Sequence, residues 1–290
     1  MRKKVIWIAV LMCLSVVIFA FSLIKYKQRQ QKNTIDVSAI NDTAISTLDP
    51  IEYIELPSQI DNDYALTTTG LCFDENSQSY FVGNYGKAKK NDTEFHPSIV
   101  NVTSDFSAIN YVLYFDENNK TDLQGVAYDN SNSSLWYTDG VSIINCDSSD
   151  GSELSRFSIG EYHKYKANGI CVDTKDDSLW VLCSYKYLLH FDKGGTLLET
   201  FNCEYIGQDH ITMDENGLIY ISAGMDYQGE NNFVICMDQD ANILMIYRVK
   251  ESYAVEGLIV LDEKMYIVND GIYHEAKIRK NYIQVYNIPR

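Results

Sequence analysis

From about residue 51 to the C-terminus, short apolar segments alternate with turns that are rich in Asp, Asn and Gly. The stretch from Asn168 to Val181, NGICVDTKDDSLWV, contains a glycine, a short apolar strand, an Asp-led turn and a second strand. The same order recurs in stretches that begin at Thr69-Gly70, Gln124-Gly125, Asp209-His210 and Glu256-Gly257. Repeats of strand, turn and strand at intervals of roughly 40 to 50 residues predict a radial array of small sheets.

Each repeat also contains a second pair of predicted strands. In three repeats, a strand end, an Asp- or Gly-containing turn and a further strand are found at 146–157, 191–201 and 237–247. Alternating segments separated by turn residues are hairpin signals. A four-stranded sheet with two apolar faces is buried when neighbouring sheets pack around an axis. The sequence therefore predicts an all-β protein, a β-propeller of four-stranded blades.

The number of motifs predicts five blades. The last repeat has three predicted strands before the chain ends at Arg290. The alternating segment 51–57 precedes the first repeat and can supply the missing fourth strand, which closes the ring and removes two sheet edges. A six-bladed ring is the alternative if residues 84–110 contain more than a loop and a hairpin.

The N-terminus differs from the rest of the chain. Residues 5–24 contain no charged side chain and follow the basic start Met1-Arg-Lys-Lys4. At about 1.5 Å per residue this run spans the roughly 30 Å of a bilayer core. We therefore predict an uncleaved transmembrane helix in an N-terminal anchor with basic flanks (1–32), followed by a polar stalk (33–50) and the propeller (51–290). An anchor at this end predicts a single-pass protein of the cell membrane with an extracytoplasmic domain.

The charge of the chain limits its partners. The 40 acidic residues outnumber the 24 basic ones, and the formal net charge is −16. All acidic residues lie at or beyond Asp36, so the predicted propeller is more acidic than the whole chain. A domain of this charge is a poor partner for nucleic acid or an anionic surface. The charge suits cation binding, and it equally suits solubility.

The residue before each motif glycine carries a side-chain oxygen. In a propeller the innermost strands begin beside the central channel, so these residues are expected to form one ring. Such oxygens, with two carboxylates among them, suit Ca²⁺ or Mg²⁺ better than a transition metal. Channel waters and caps on the strand starts explain the same residue types. The ring positions are Thr69, Gln124, Asn168, Asp209 and Glu256.

Two long predicted loops, 83–97 and 269–282, are expected to open on the same face as the ring. Long loops on one face commonly carry binding residues. Asn269, Asp270 and His274 are therefore candidate ligand-binding residues, together with the ring residues Gln124, Asn168, Asp209 and Glu256. A histidine beside a cation-bound water could act as a general base. No spacing typical of a nucleophile and its base is present, so no catalytic residue is assigned.

Three segments carry a family resemblance: KANGICVD, GQDHITMDENGLIYIS and VEGLIVLDEKMYIVND. They resemble the senescence-marker-protein/gluconolactonase propellers and the SdiA-regulated bacterial propellers, the latter also in having an N-terminal membrane segment or signal. The first resemblance implies a central divalent cation, here Ca²⁺, held by Asn168, Asp209 and Glu256. The sequence departs from that pattern in having His210 in place of a glycine and the Glu-Gly motif in the last repeat.

Two functions agree with these observations. The first is a membrane-anchored extracytoplasmic propeller that binds a small molecule or a protein on its loop face, with a possible central divalent cation. The alternative is a cation-dependent lactonase or esterase of the gluconolactonase-like class that uses the same face. Binding is preferred because the sequence shows no complete acid–base or nucleophile set.

Overall fold

The computed structural model describes residues 34–36, 45–60, 64–89, 96–115, 123–184, 186–204 and 208–289. Within these ranges the chain is all-β, apart from a short 3₁₀ helix at Gly160–Tyr165. Five strands precede the first blade: β1 (Thr34–Asp36), β2 (Ile45–Leu48), β3 (Glu52–Glu55), β4 (Gln59–Ile60) and β5 (Tyr64–Ala65).

Five four-stranded antiparallel units follow, which confirms the predicted propeller and excludes the six-bladed alternative. Blade 1 contains β6 (Thr68–Asp74), β7 (Ser79–Asn84), β8 (Ser98–Val102) and β9 (Ile109–Tyr114). Blade 2 contains β10 (Val126–Asp129), β11 (Ser134–Thr138), β12 (Ser142–Asp147) and β13 (Glu153–Ser158). Blade 3 contains β14 (Ala167–Asp173), β15 (Ser178–Cys183), β16 (Tyr187–Asp192) and β17 (Leu197–Glu204). Blade 4 contains β18 (Gln208–Met213), β19 (Ile219–Ala223), β20 (Phe233–Met237) and β21 (Ile243–Val249). Blade 5 contains β22 (Val255–Leu261), β23 (Lys264–Asp270) and β24 (Asn281–Asn287), and β3 completes it.

The ring closes through β3. This strand pairs antiparallel with β24, with Ile54 opposite Ile283 and Glu55 opposite Tyr282. Ile54 packs against a buried apolar cluster shared by blades 1 and 5, to which Ile283 belongs. The prediction that the alternating segment 51–57 supplies the missing fourth strand is confirmed, because β3 is the outer strand of blade 5.

Two further segments from before the propeller pair with outer strands. β1 pairs parallel with β17 of blade 3, and β2 pairs parallel with β21 of blade 4. Both segments fall in the range for which the sequence predicts a polar stalk, 33–50. At the end of β2, Asp49 accepts a hydrogen bond from Lys250 Nζ at 2.8 Å. Parts of that range therefore lie on the propeller.

The predicted membrane helix at residues 5–24 lies outside the described residues. Within the described part of the chain, no helix is long and apolar enough to cross a membrane.

Crowding at the axis explains the motif glycines. A Cβ atom on Gly125 would stand 2.7 Å from the carbonyl oxygen of Asn168, and one on Gly257 would stand 2.6 Å from the carbonyl carbon of Gly70. Both distances are shorter than a real contact, so the backbones of neighbouring inner strands approach this closely because these positions lack side chains. The repeated glycine thus sets the narrow bore of the channel, and the residue before it stands at the channel mouth.

Candidate functional site

β-Bulges at the starts of the inner strands carry four of the five ring residues, all except Gln124. In blade 1, Thr68 pairs with Asn84 and Gly70 with Gly83, so Thr69 has no partner in the ladder. Asn168 and Glu256 are skipped in the same way in blades 3 and 5, and Asp209 and His210 are both skipped in blade 4. A bulge re-aims a side chain out of the regular alternation. These four ring residues are therefore turned out of their sheets at one end of the channel.

The structure brings two pairs of site residues into contact. Asn168 Nδ2 donates a hydrogen bond to Asp209 Oδ1 at 2.8 Å, which joins blades 3 and 4. His274 Nε2 lies 2.8 Å from Glu256 Oε1, which joins the long loop of blade 5 to its own inner strand. The predicted residues Asn168, Asp209, Glu256 and His274 thus belong to one constellation, with Asp270 at the end of β23 beside it.

Burial dominates the electrostatics of this constellation. Loss of hydration raises the pKa of Asp209 well above its ordinary value; the charge of Glu256 adds to the rise, and the amide of Asn168 and the charge of His274 oppose it. Loss of hydration also raises the pKa of Glu256 to about 8. The pKa of Asp270 rises to about 7 through burial and, secondarily, the charge of Glu256. Glu256 and Asp270 therefore hold protons close to neutral pH, where ordinary carboxyls have lost them, and the pKa of Asp209 is shifted in the same direction.

Some polar atoms at this end of the channel have no hydrogen-bond partner within the described protein. Asp270 Oδ1 accepts a hydrogen bond from the Tyr273 backbone at 3.0 Å, but its Oδ2 is buried without a partner. Thr69 Oγ1, the ring atom of blade 1, is also buried and without a partner. Buried polar atoms of this kind are costly unless something else satisfies them. They are consistent with a ligand or ordered solvent at the channel mouth.

Aromatic rings from three loops form a wall beside the carboxyl groups. The ring of Tyr227 stacks on His274 with centroids 4.5 Å apart, and Tyr273 meets His274 edge-on at 5.1 Å. Tyr85, from the long loop of blade 1, meets Tyr273 edge-on at 6.0 Å. We call Tyr85, Tyr227, Tyr273 and His274 the aromatic wall.

Backbone contacts hold the loops that carry the wall. The Lys277 amide donates to the Tyr227 carbonyl at 2.8 Å, and Gln228 Nε2 donates to the Glu275 carbonyl at 3.0 Å. These two contacts tie the loop after β19 to the loop after β23. The side chain of Tyr227 is therefore held over His274 by two bonds that involve neither ring.

Two other predicted ligand-binding residues have different surroundings. Asn269 is fully buried, and its amide donates to Ser252 Oγ and the Ile267 carbonyl and accepts from the Ala254 amide. This side chain braces the segment before β22. Gln124 is partly buried at its ring position, where its backbone amide donates to Thr138.

His210 is the residue whose role the sequence does not show, because a histidine at a strand start is more often a packing residue. It occupies the position at which the other four inner strands have glycine, and it is buried. Its ring hydrogen-bonds the backbone of Leu71, which belongs to blade 1 across the channel, and burial lowers its pKa to about 4. The imidazole is therefore neutral near pH 7, and it lies in the channel between blades 4 and 1, next to the ring residue Asp209.

Comparison with known proteins supports the propeller fold but identifies no family. No family model matches the sequence, and no curated protein matches it. Among solved structures, the chain is similar to Myxococcus xanthus glutaminyl cyclase. That match has a TM-score of 0.61 and 9% identity, and it covers 85% of this chain and 99% of the cyclase. At this identity, the likeness shows that the two share the propeller fold.

Two further solved structures show weaker likeness. One is the nidogen/laminin complex, with 14% identity, a TM-score of 0.49 and coverage of 70% of this chain and 72% of that one. The other is the β-propeller domain of Myceliophteria thermophila Cps50 (Swd1), with 8% identity, a TM-score of 0.44 and coverage of 77% and 65%. The resemblance to gluconolactonase-like and SdiA-regulated propellers stays a prediction.

The ring oxygens are of the type that Ca²⁺ prefers, but their present contacts compete with an ion. Within the described ranges, no three His, Cys, Asp or Glu side chains are grouped so that they could hold a metal ion. Asn168 directs its amide nitrogen at Asp209, and Glu256 already contacts His274. A Ca²⁺ ion at Asn168, Asp209 and Glu256 stays a prediction, and it requires both contacts to rearrange.

A melting experiment tests this prediction. If the ion binds with a dissociation constant near 0.1 mM, then 1 mM Ca²⁺ is expected to stabilise the protein by about 1.4 kcal/mol, or roughly 3–5 °C in Tm. Asp209→Asn removes one charged ligand and is expected to abolish the increase, whereas the control Glu161→Gln, at an exposed site, is expected to keep it. Identical melting curves in chelator and in millimolar Ca²⁺ would remove the ion from the site.

Proposed function

We propose that this protein is a membrane-anchored, extracytoplasmic propeller that binds a small ligand at the loop-face mouth of its channel, through a cationic group on the ligand. The anchor rests on the charge-free run of residues 5–24. The binding role rests on one observation: the carboxyl groups of Glu256 and Asp270, which are buried, and of Asp209, which is partly buried, lie beside the aromatic wall.

The carboxyl groups favour a cation over an anion or a neutral group. The raised pKa values of Asp209 and Asp270 are due in part to the charge of Glu256, so Glu256 repels both aspartates when the groups are ionised. A positive group between them relieves this repulsion and replaces the protons that they hold. The acidic surface of the whole chain, −16 in formal charge, also attracts cations towards the mouth.

The aromatic wall favours an organic cation over a bare metal ion. Ammonium and guanidinium groups bind over the faces of tyrosine rings within about 6 Å, and the interaction gains strength where water is excluded. Tyr227 and Tyr273 are tied to His274, which itself contacts Glu256. A ligand ammonium group beside Glu256 would therefore meet a carboxylate and aromatic faces together, which is the usual composition of an ammonium site.

The test is a ligand screen by thermal shift with matched pairs of small molecules. Each pair contains a primary amine, guanidine or quaternary ammonium compound and an isosteric neutral alcohol or alkane. Only the cationic members are expected to raise Tm, and the increase is expected to grow from pH 6 to pH 8 as the carboxyl groups lose their protons. Equal shifts from the neutral partners would contradict the proposal.

The second candidate is catalysis at the same site, and the contact between Glu256 and His274 favours it. A carboxyl group whose pKa is about 8, 2.8 Å from an imidazole nitrogen, can exchange a proton near neutral pH. Hydrolysis of a lactone or ester, as in the gluconolactonase-like class, needs this kind of proton transfer. Turnover of a γ-lactone, an aryl ester or an N-terminal glutaminyl peptide that Glu256→Gln abolishes would establish an enzyme. The peptide is included because the protein of similar fold is a glutaminyl cyclase.

A further inference from the structure

The segment that joins blade 2 to blade 3 departs from the repeat, because it contains the 3₁₀ helix Gly160–Tyr165. The helix ends shortly before the ring residue Asn168, so it lies on the loop face. None of its six residues is buried, although the rings of Tyr162 and Tyr165 pack against the edge of the core. The helix therefore presents most of its surface to solvent.

The loop face of blade 3 also reverses the charge of the chain. Residues 160–166 and 184–187 carry Lys164, Lys166 and Lys186 against one acidic residue, Glu161, whereas acidic residues outnumber basic ones by 40 to 24 in the whole chain. The Ser184 amide donates to the Lys166 carbonyl at 2.8 Å, which ties the two segments together. A local excess of positive charge favours an anionic partner at this point of an otherwise acidic surface.

Two of these lysines converge on one tyrosine ring. Lys164 Nζ lies 4.9 Å from the centroid of the Tyr165 ring, and Lys186 Nζ lies 5.9 Å from the same centroid. The ring of Tyr187 meets that of Tyr165 edge-on, with centroids 4.7 Å apart. Each of these side chains is at least partly exposed, so a molecule in solution can reach them. We call Lys164, Tyr165, Lys186 and Tyr187 the basic patch.

The phenol of Tyr165 shows which charge the basic patch stabilises. Its pKa is lowered, first through a hydrogen bond with Tyr187 and then through the hydrogen bond and charge of Lys164, and the charge of Lys186 adds to the fall. A lowered phenol pKa means that the surroundings stabilise a negative charge on this oxygen. The Tyr187 hydroxyl and the Lys164 ammonium group thus donate to one point, with a second positive charge beside it.

The donors of the basic patch suit a phosphate group better than a carboxylate. A phosphate monoester carries a charge of about −1.5 to −2 near neutral pH and has three strong acceptor oxygens. Lysine binds phosphate as a point charge, whereas the planar fork of arginine matches a carboxylate, and the basic patch contains no arginine. The exposed parts of the tyrosine rings provide a surface for a flat organic body.

From these observations we propose that the basic patch binds the phosphate group of a small phosphorylated molecule on the loop face. The phosphate accepts hydrogen bonds from Lys164 and Tyr187 in place of the Tyr165 oxygen, and Lys186 lies beside it. The organic body of the molecule packs against the tyrosine rings. This site shares no residue with the cation site proposed above.

Calorimetric titration of the full-length protein at pH 7.5 tests the proposal with four probes: phenyl phosphate, benzoate, benzyl alcohol and inorganic phosphate. Phenyl phosphate is expected to bind with a Kd of about 1 mM or lower, and benzoate about tenfold more weakly because it has less charge and fewer acceptor oxygens. Benzyl alcohol, which has no charge, is expected not to bind measurably. Inorganic phosphate is expected to bind more weakly than phenyl phosphate, and high salt is expected to weaken both.

Variants locate the binding. Lys164→Gln and Lys186→Gln are each expected to weaken phenyl phosphate binding about fivefold, and the double variant is expected to abolish it at millimolar concentration. Lys264→Gln, the same change at an exposed site on the opposite face, is the matched control and is expected to keep the affinity. Tyr165→Phe removes the oxygen that now takes the two donors, so it is expected to bind phenyl phosphate at least as tightly as the unmodified protein.

Three results would each overturn the proposal: no binding of phenyl phosphate at millimolar concentration, equal affinity for phenyl phosphate and benzyl alcohol, or an unchanged affinity in the double variant. Tighter binding of benzoate than of phenyl phosphate would assign the patch to carboxylates instead. Sedimentation of the protein with vesicles that contain phosphatidate, without affinity for phenyl phosphate, would place the phosphate on a lipid and contradict the small-molecule assignment. Amine probes test the cation site separately, so either proposal can fail while the other stands.

Discussion

The free energy of unfolding of this propeller is expected to fall between pH 5 and pH 8, and Glu256→Gln is expected to make that fall markedly smaller. Burial raises the pKa of Glu256 from 4.5 to about 8 in the folded protein. Between those values the folded state holds a proton that the unfolded state has lost, so unfolding becomes easier as pH rises. The stabilising contribution is complete below pH 4.5 and is lost as pH rises through 8.

The expected size of this effect is large for a single side chain. A carboxyl group whose pKa is raised contributes at most about 1.4 kcal/mol per pH unit. Asp270, with its pKa raised from 3.8 to about 7, adds a similar slope over a lower range. Glutamine has the shape of the protonated acid and does not titrate, so Glu256→Gln is expected to remove its own share. The share of Asp270 is expected to become smaller but to persist, because burial is the main cause of its raised pKa and the charge of Glu256 the second.

Urea unfolding at intervals of half a pH unit measures this slope. Glu161→Gln, an exposed change with the same chemistry, is the matched control and is expected to reproduce the slope of the unmodified protein. A Glu256→Gln variant whose stability falls as steeply as that of the control would show that the Glu256 carboxyl group ionises as if it were in water.

The second large effect concerns affinity. For the tightest-binding amine from the thermal screen, Glu256→Gln is expected to weaken binding at pH 8 by roughly 30-fold or more, because a buried charge-assisted contact is lost. Tyr227→Ala is expected to weaken it by several-fold through loss of an aromatic face, whereas Tyr227→Phe, which keeps the face, is expected to change it little.

Titration calorimetry of the three variants and the unmodified protein measures these differences. Circular dichroism melts in the absence of ligand separate a loss of fold from a loss of binding. If Tyr227→Phe and Tyr227→Ala weaken binding equally, the tyrosine acts through its hydroxyl, and its aromatic face does not contribute to the affinity for the cation.

The fold could be predicted from the sequence because the close packing of the inner strands requires glycine at one position of each inner strand except that of blade 4. Inner strands approach so closely that Gly70, Gly125, Gly169 and Gly257 are each needed at the same place, and this gives a visible repeat. The closing strand was predictable for a related reason: the last blade lacked a strand, and segment 51–57 alternates like one. Strands β1 and β2, with three and four residues, are too short to give a period.

The site could be predicted only in part. The pattern placed Asn168, Asp209 and Glu256 in one ring, but alternation does not show which residue a ladder skips, so the bulges that carry these residues were missed. The contact between His274 and Glu256 depends on the path of a ten-residue loop, 271–280, which has no periodicity to read. Asn269 has a side chain that could bind a ligand, yet its amide group is hydrogen-bonded to the backbone of its own blade.

The aromatic wall left a trace in the sequence that could have been used. Tyrosine follows the second strand in four repeats, as Tyr85, Tyr185, Tyr227 and Tyr273, and the first, third and fourth of these form the wall. Tyr85, Tyr227 and Tyr273 lie in loops that open beside the ring, and the blade order brings the loops of blades 4, 5 and 1 next to one another. Aromatic residues in the corresponding loops of adjacent blades are therefore a signal for a shared wall.

The most direct test of cation binding at Asp209, Glu256 and Asp270 is the number of protons released when the ligand binds. The heat of binding of the tightest amine is measured at pH 7.5 in two buffers of different ionisation enthalpy, and the difference gives the proton count. Because the carboxyl groups of Glu256 and its neighbours hold protons that a cation must replace, we predict release of between about half and one proton per ligand, and markedly less in Glu256→Gln. Binding with the same heat in both buffers would mean that no proton leaves, and it would contradict the account.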